Sequence, residues 1–285
     1  MVDTLQFTIS EYELDNGKLR DRRWQARREA SWNVFILKHR KDDKMRIRLL
    51  GHEAERGAVV ELSAPKFMYG SNLYELTEED LPIFCSQLKA SLHEVGINTD
   101  ETAIREAKLG KLHYCRNIPL QIDTLKLLGD LHQLSTQSKS SSYFRPYEKV
   151  AGRTGCKIGE RTASGSIDVG LYDKVAELES HNILEAHEAL DKYKVNFPGL
   201  ELIRFEVQMT GQRTIMRAIK QATGENWPSV TLEKAWRNEV AKVLLQKKFI
   251  SCFQGPLSRL FASTDSDYSL LQHGEDLELL GLMYL

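Results

Sequence analysis

Residues 4–14 set Leu5, Phe7 and Ile9 against polar neighbours, the period-two pattern of a strand with one buried face. Asp15-Asn16-Gly17 is a turn signal. The run from Trp32 to Leu37 predicts a second strand and residues 45–50 a third, joined by the charged, hairpin-like link 40–44. Residues 58–64 predict a fourth, with Val59, Glu61 and Ser63 on one face and Val60 and Leu62 on the other. Pro65 and Gly70 break it. Thr77-Glu78-Glu79-Asp80 reads as a helix start, with Thr77 as N-cap and acidic side chains matched to the helix dipole. Leu81, Phe84, Leu88 and Leu92 recur at helical spacing and carry that helix towards Gly96.

The pattern returns to strand over 104–118, as one or two strands around Leu109 to Cys115, closed by Pro119. Residues 122–134 predict a helix with Leu125, Leu128 and Leu131 inward. The serine-rich stretch 135–142 reads as a linker. Glycine-punctuated runs at 152–160 and 165–172 then predict a hairpin, and 173–193 a charged helix. A strand over 204–209, a helix over 212–223, a break at Trp227-Pro228 and a helix over 231–249 capped by Thr231 complete the order. Both halves repeat strands, helix, strand, helix. This predicts an α+β fold of two related sheet-and-helix halves, with mainly antiparallel sheets packed against helices. The division falls between residues 1–135 and 143–285.

Composition narrows the class. The chain has 285 residues, 41% hydrophobic and 28% charged, as in soluble globular proteins. No run approaches the roughly 18 apolar residues of a membrane span. No secretory signal is visible. Cys85, Cys115, Cys156 and Cys252 lie far apart, which argues against a cysteine zinc knuckle and fits reduced thiols in a cytoplasm. A net charge of −1 and a pI near 6.7 are less basic than many nucleic-acid binders. Charge is uneven, however: Lys18, Arg20, Arg22, Arg23, Arg27 and Arg28 face only Asp21 within 18–28. That segment is either a patch for a phosphate backbone or an ordinary solvated surface.

Candidate chemistry sits on strands. Glu61 interrupts Val59-Val60-Glu61-Leu62, Glu206 interrupts Phe205-Glu206-Val207, and His113 lies between Leu112 and Tyr114. A carboxylate in an apolar strand either sits on a solvated sheet face or needs a partner or a metal. Tyr172 and Lys174 end the strand from Ser166, and Arg204, Glu206 and Gln208 share one face of a later one. Such a set can attack a phosphodiester. Tyrosine is the nucleophile, glutamate holds a divalent metal, and lysine or arginine neutralises the phosphate. Lys174 would lower the phenol's pKa or bind the attacked phosphate. Trp24, Tyr143, Phe144 and Tyr147 are available to stack on bases or to pack in a core. No Walker loop, dinucleotide-binding glycine fingerprint or His-Glu-x-x-His occurs. From a different class, Glu61 and Glu206 would be the acid/base pair of a metabolic enzyme.

Val60-Glu61-Leu62-Ser63-Ala64-Pro65-Lys66, Tyr69-Gly70-Ser71-Asn72, Leu171-Tyr172-Asp173-Lys174 and Ile203-Arg204-Phe205-Glu206 occur in that order. In this the chain resembles the rolling-circle replication initiators, above all the gene II-type replication proteins of filamentous phages and more distantly those of small plasmids. The resemblance spans roughly residues 58–220. It implies metal-dependent nicking and joining of one strand at an origin through a 5′-phosphotyrosine. Tyr172 would be the nucleophile, followed by Lys174. Glu61, His113 and Glu206 would hold Mg²⁺ or Mn²⁺. His113 stands where the family often has aspartate, and histidine suits manganese, iron or zinc better than magnesium. Arg204, Lys66, Arg22, Arg23 and Arg27 are the candidate DNA contacts. The implied partners are origin DNA, duplex and nicked, and a host helicase. The rival within the same descent is a DNA-binding or regulatory protein without catalysis.

Overall fold

The computed structural model describes residues 1–15, 24–29, 32–37, 45–52, 55–120, 124, 126–129, 143–146, 155–162, 164–179, 184–196, 198–199 and 201–254. The strands are β1 (Val2–Ile9), β2 (Glu13–Leu14), β3 (Trp24–Glu29), β4 (Trp32–Leu37), β5 (Met45–His52), β6 (Glu55–Ser63), β7 (Ile97–Asn98), β8 (Lys108–Leu120), β9 (Tyr143–Pro146), β10 (Gly155–Thr162), β11 (Gly165–Asp173) and β12 (Glu201–Thr210). The helices are α1 (Ala64–Tyr69), α2 (Asp80–Glu94), α3 (Glu101–Arg105), α4 (Lys174–Glu179), α5 (Leu184–Asn196), α6 (Gln212–Thr223), α7 (Leu232–Trp236) and α8 (Asn238–Phe249), with a π-helical turn at Ile250–Gln254.

Ten strands form one sheet in the order β3-β4-β5-β6-β1-β8-β12-β11-β10-β9. Every pairing in it is antiparallel. The α+β class is as expected, and the two halves share this sheet. Their seam is the β8–β12 ladder, which runs from Glu201 opposite Leu120 to Thr210 opposite Lys111.

Alternation sorts the sheet into two faces. Leu5, Phe7, Val60, Leu62, Leu112, Tyr114, Phe205 and Val207 are buried together in the main core. That core also takes Leu81, Phe84, Leu88 and Leu92 of α2, Ile215, Ala218 and Ile219 of α6, and Val240, Leu244 and Leu245 of α8. Helical spacing puts each of these sets on one face. A small second cluster joins Leu178 of α4 and Leu190 of α5 with Leu73, Val175 and Tyr193.

Several elements differ from the sequence expectation for local reasons. After β6 the chain turns straight into α1, because Pro65 suits a first helical turn and Gly70 caps the helix at φ 76°. Helix α2 begins at Asp80, and Thr77 instead donates to Asp80 Oδ2 through its backbone N–H at 2.7 Å. The segment 104–118 divides into the end of α3 and strand β8, which continues through Pro119 to Leu120. The helix expected over 231–249 breaks at Arg237, where ψ is 125°. Of the basic segment 18–28, residues 24–28 lie in strand β3, and 18–23 lie outside the described residues. Residues 124 and 126–129 are helical. The linker 135–142 and Tyr147 lie outside the described residues. Among the described residues no helix is long and apolar enough to cross a membrane.

Candidate active site

The face opposite the main core carries the polar set. Strand β12 offers Arg204, Glu206 and Gln208 there, alternating with the core residues Ile203, Phe205 and Val207. Across the seam β8 offers His113 and Asn117, with Gln208 opposite His113 and Arg204 opposite Asn117. On the other side β11 places Tyr172 opposite Arg204. Directly opposite and diagonal side chains in such ladders are within reach of one another.

Asp3 arrives by an irregularity. Val2 pairs with Tyr114 but Leu5 pairs with Leu112, so three steps on β1 match two on β8. This β-bulge keeps both Val2 and Leu5 in the core and re-aims Asp3 between them. Asp3 Oδ1 accepts from Ser63 Oγ at 3.0 Å, and its Oδ2 lies 3.5 Å from Arg204 Nη1.

Glu206 is the centre of the network. Its Oε1 is 3.0 Å from His113 Nδ1, and its Oε2 accepts from the Tyr172 phenol at 3.2 Å. Arg204 donates from Nε to Asn117 Oδ1 at 2.8 Å and from Nη2 to the Asn72 carbonyl. Lys174 donates to Asn72 Oδ1 at 2.9 Å and to Glu177. The group is out of solvent: Tyr172 is 8% exposed, His113 7%, Glu206 5%, and Lys174 and Arg204 0%.

Electrostatics follow from that burial. Desolvation and the neighbouring Glu206 push the Tyr172 phenol well above its usual range. Burial also works against the Glu206 carboxylate, but the His113 hydrogen bond and charge and the Arg204 cation outweigh it and bring it down to about 2. Lys174 falls to about 8, through burial first and Arg204 next, with Glu177 opposing.

Asp3, His113 and Glu206 are the metal-capable group among the described residues, with ligand atoms within 4.8 Å of one another. The fit to a divalent cation rests on His113: its Nδ1 lies 3.0 Å from Glu206 Oε1, so with the proton on the otherwise unpartnered Nε2 the Nδ1 lone pair faces a carboxylate oxygen, a contact that a shared cation would satisfy.

Glu61 is not in that group. Lys111 Nζ donates to its Oε1 at 2.8 Å and Gln6 Nε2 to its Oε2 at 3.3 Å. Burial would raise its pKa, and Lys111 and Gln6 turn the balance downward. Glu61 and Glu206 thus sit in separate networks, as an acid/base pair would not. Tyr172, Lys174, His113, Glu206 and Arg204 are brought together. Lys66 lies half-buried in α1, and Arg27 lies in β3. Arg22 and Arg23 lie outside the described residues. Sequence reasoning missed Asp3, Asn72 and Asn117 as members of the set. Asn72 fell within a quoted motif, but nothing local marks Asp3 or Asn117.

The sequence matches no protein-family profile and no curated protein. One solved structure to which the chain is similar is the rolling circle replication initiator protein from Geobacillus stearothermophilus. The two are 12% identical, the alignment covers 86% of this chain and 96% of that one, and the TM-score is 0.34. A likeness at that level establishes neither fold family nor activity.

Proposed function

We propose that this protein nicks and rejoins one strand of DNA, in the manner of a replication initiator, with Tyr172 as the nucleophile. The observation that carries the reading is the Tyr172–Glu206 contact beside two buried cations, Lys174 and Arg204. A purely structural network of this kind is an expensive way to fill a sheet face, since burying charges costs several kcal/mol per ion before pairing. Strongly perturbed groups gathered in one place mark a functional site more often than a structural one.

In the proposed step the Tyr172 oxygen attacks phosphorus while its proton passes to Glu206 Oε2. The bond from phosphorus to the 3′ oxygen breaks, and that oxygen leaves with a proton drawn from water. The 5′ phosphate remains on the tyrosine, and the reverse reaction joins the strand. The resting phenol is held well above its usual range and Glu206 well below it, so full proton transfer before attack is strongly uphill. Proton transfer therefore accompanies attack. Lys174 and Arg204 balance the charge that builds on the phosphate oxygens. Asp3, His113 and Glu206 would hold a divalent cation, whose charge would stabilise both the phenolate and the phosphorane-like transition state. With an imidazole in the donor set, manganese suits it better than magnesium. Arg27 and Lys66, with Arg22 and Arg23, are proposed to contact the DNA backbone.

The test is incubation of the full chain with a supercoiled circle carrying its gene and flanking sequence, plus Mn²⁺ or Mg²⁺. The expected product is an open circle with protein on a 5′ end, absent with Tyr172→Phe. Binding without nicking under either metal would favour the non-catalytic DNA-binding reading.

A further inference from the structure

The site described above is closed. A phosphodiester cannot reach a phenol that is 8% exposed between cations that are fully buried. Residues 71–75 lie against its two cations. Asn72 bridges the two cations with its own two oxygens: its carbonyl takes Arg204 Nη2 and its Oδ1 takes Lys174 Nζ. Two non-bridging phosphate oxygens would meet the same guanidinium and ammonium in the same way. Arg204 Nη1 is buried without a hydrogen bond, 3.5 Å from Asp3 Oδ2. The Nη1–Nη2 edge is shaped for a bidentate anion, and here Nη2 carries a neutral carbonyl and Nη1 the longer contact with Asp3.

We propose that residues 71–75 form a strap in which Asn72 occupies the scissile-phosphate position, so that the strand enters by displacing it. This rests on the nickase reading above. The strap is suspended between firm points. Gly70 caps α1 in a left-handed conformation at one end, and Leu76 is buried in the main core at the other. Between them the Leu73 carbonyl accepts from Asn117 Nδ2 at 2.9 Å, and Glu75 accepts from Asn117 N at 2.6 Å and Arg116 Nη1 at 2.8 Å. Its apolar packing among the described residues is Leu73, in the small cluster with Leu178 and Leu190, and the half-exposed Tyr74 ring, 5.4 Å from that of Tyr69. Segments with few buried contacts and backbone bonds to polar side chains open first. A phosphate is the stronger partner for both cations, so strand entry and strap release favour each other.

Asn72 as a strap and Asn72 as a fixed positioning residue predict opposite signs. Asn72→Ala removes the bond to Lys174, and loss of a hydrogen bond to a charged group shifts opening by about tenfold or more. Nicking at subsaturating DNA should rise by about that factor, mainly through KM. Asn72→Asp puts an anion between the two cations and should slow nicking by a similar factor. In the wild-type chain, amide hydrogen exchange at residues 71–75 should speed up when single-stranded dT30 is bound, while β12 amides do not. Slower nicking by a folded Asn72→Ala would overturn the strap. So would unchanged or slowed exchange at 71–75 with dT30 bound, a readout that stands even if the Asn72 variants do not fold. A wild type that nicks DNA but shows either result loses the strap alone. A wild type that binds no DNA loses the nickase reading and the strap together.

Discussion

Tyr172 and Glu206 meet across a diagonal of two paired strands: Tyr172 lies opposite Arg204, two residues before Glu206, and its phenol donates to Glu206 Oε2 at 3.2 Å. The same carboxylate reaches His113 on the far side of the seam at 3.0 Å. One glutamate therefore links a residue from each half of the sheet. That arrangement makes the phenol hard to ionise at rest, and it offers the carboxylate as an acceptor for its proton.

Removing the phenol oxygen should separate chemistry from binding. Tyr172→Phe is expected to lower nicking by more than roughly 10³-fold, as loss of a nucleophile does. Its DNA affinity should stay within a few-fold of wild type. Stability should change by no more than about 1.5 kcal/mol, the net value of one hydrogen bond. A gel-based nicking assay, a binding titration and a denaturant melt check the three parts.

Glu206 should make the fold acid-sensitive. Its folded pKa of about 2 lies below the ordinary 4.5, so its stabilisation is full above pH 4.5 and is lost as pH falls towards 2. A pKa displaced tenfold in acidity corresponds to about 1.4 kcal/mol, so the effect is on the order of a few kcal/mol. Denaturant melts between pH 6 and 2.5 should show the wild type losing its advantage over Glu206→Gln across that window. Parallel pH curves would refute the assignment.

Lys174 should act at the alkaline end, with a slope of the same sign. Its folded pKa of about 8 lies below the ordinary 10.5, so between those values the unfolded chain holds a proton that the native one has released. Stability from this group rises with pH through that window and is lowest below pH 8. Tyr172, raised well above 10, works the other way above pH 10. Lys174→Met should flatten the rise between pH 8 and 10, read from denaturant midpoints.

Metal binding should depend on Asp3 and His113 and not on Glu61. Mn²⁺ at about 100 times its dissociation constant stabilises a native chain by roughly 2.7 kcal/mol. The melting temperature should therefore rise with Mn²⁺ in the wild type and in Glu61→Gln. The rise should vanish in His113→Ala and shrink in Asp3→Asn. Loss of the response in Glu61→Gln alone would return Glu61 to the ligand set.

Much of this was legible along the chain. Local periodicity is enough to place β6, β12 and α6, because alternation at Val59 to Ser63 and helical spacing at Ile215, Ala218 and Ile219 are written in adjacent residues. The same alternation puts Arg204 and Glu206 on one face and Tyr172 at the end of its strand. What periodicity could not supply is which strands adjoin. The seam between β8 and β12 joins residues about ninety positions apart, and only that pairing brings His113 to Glu206. The bulge in β1 exists because Val2 and Leu5 must both reach the core, so Asp3 takes a place in the site that the sequence would have assigned to Glu61. Glu61, for its part, is held by Lys111, a cation brought alongside by tertiary pairing. Side-chain direction within an element is a local property of the backbone, and sequence alone determined it. Which charged groups share one dry face depends on register between distant strands, and only the folded sheet decided that.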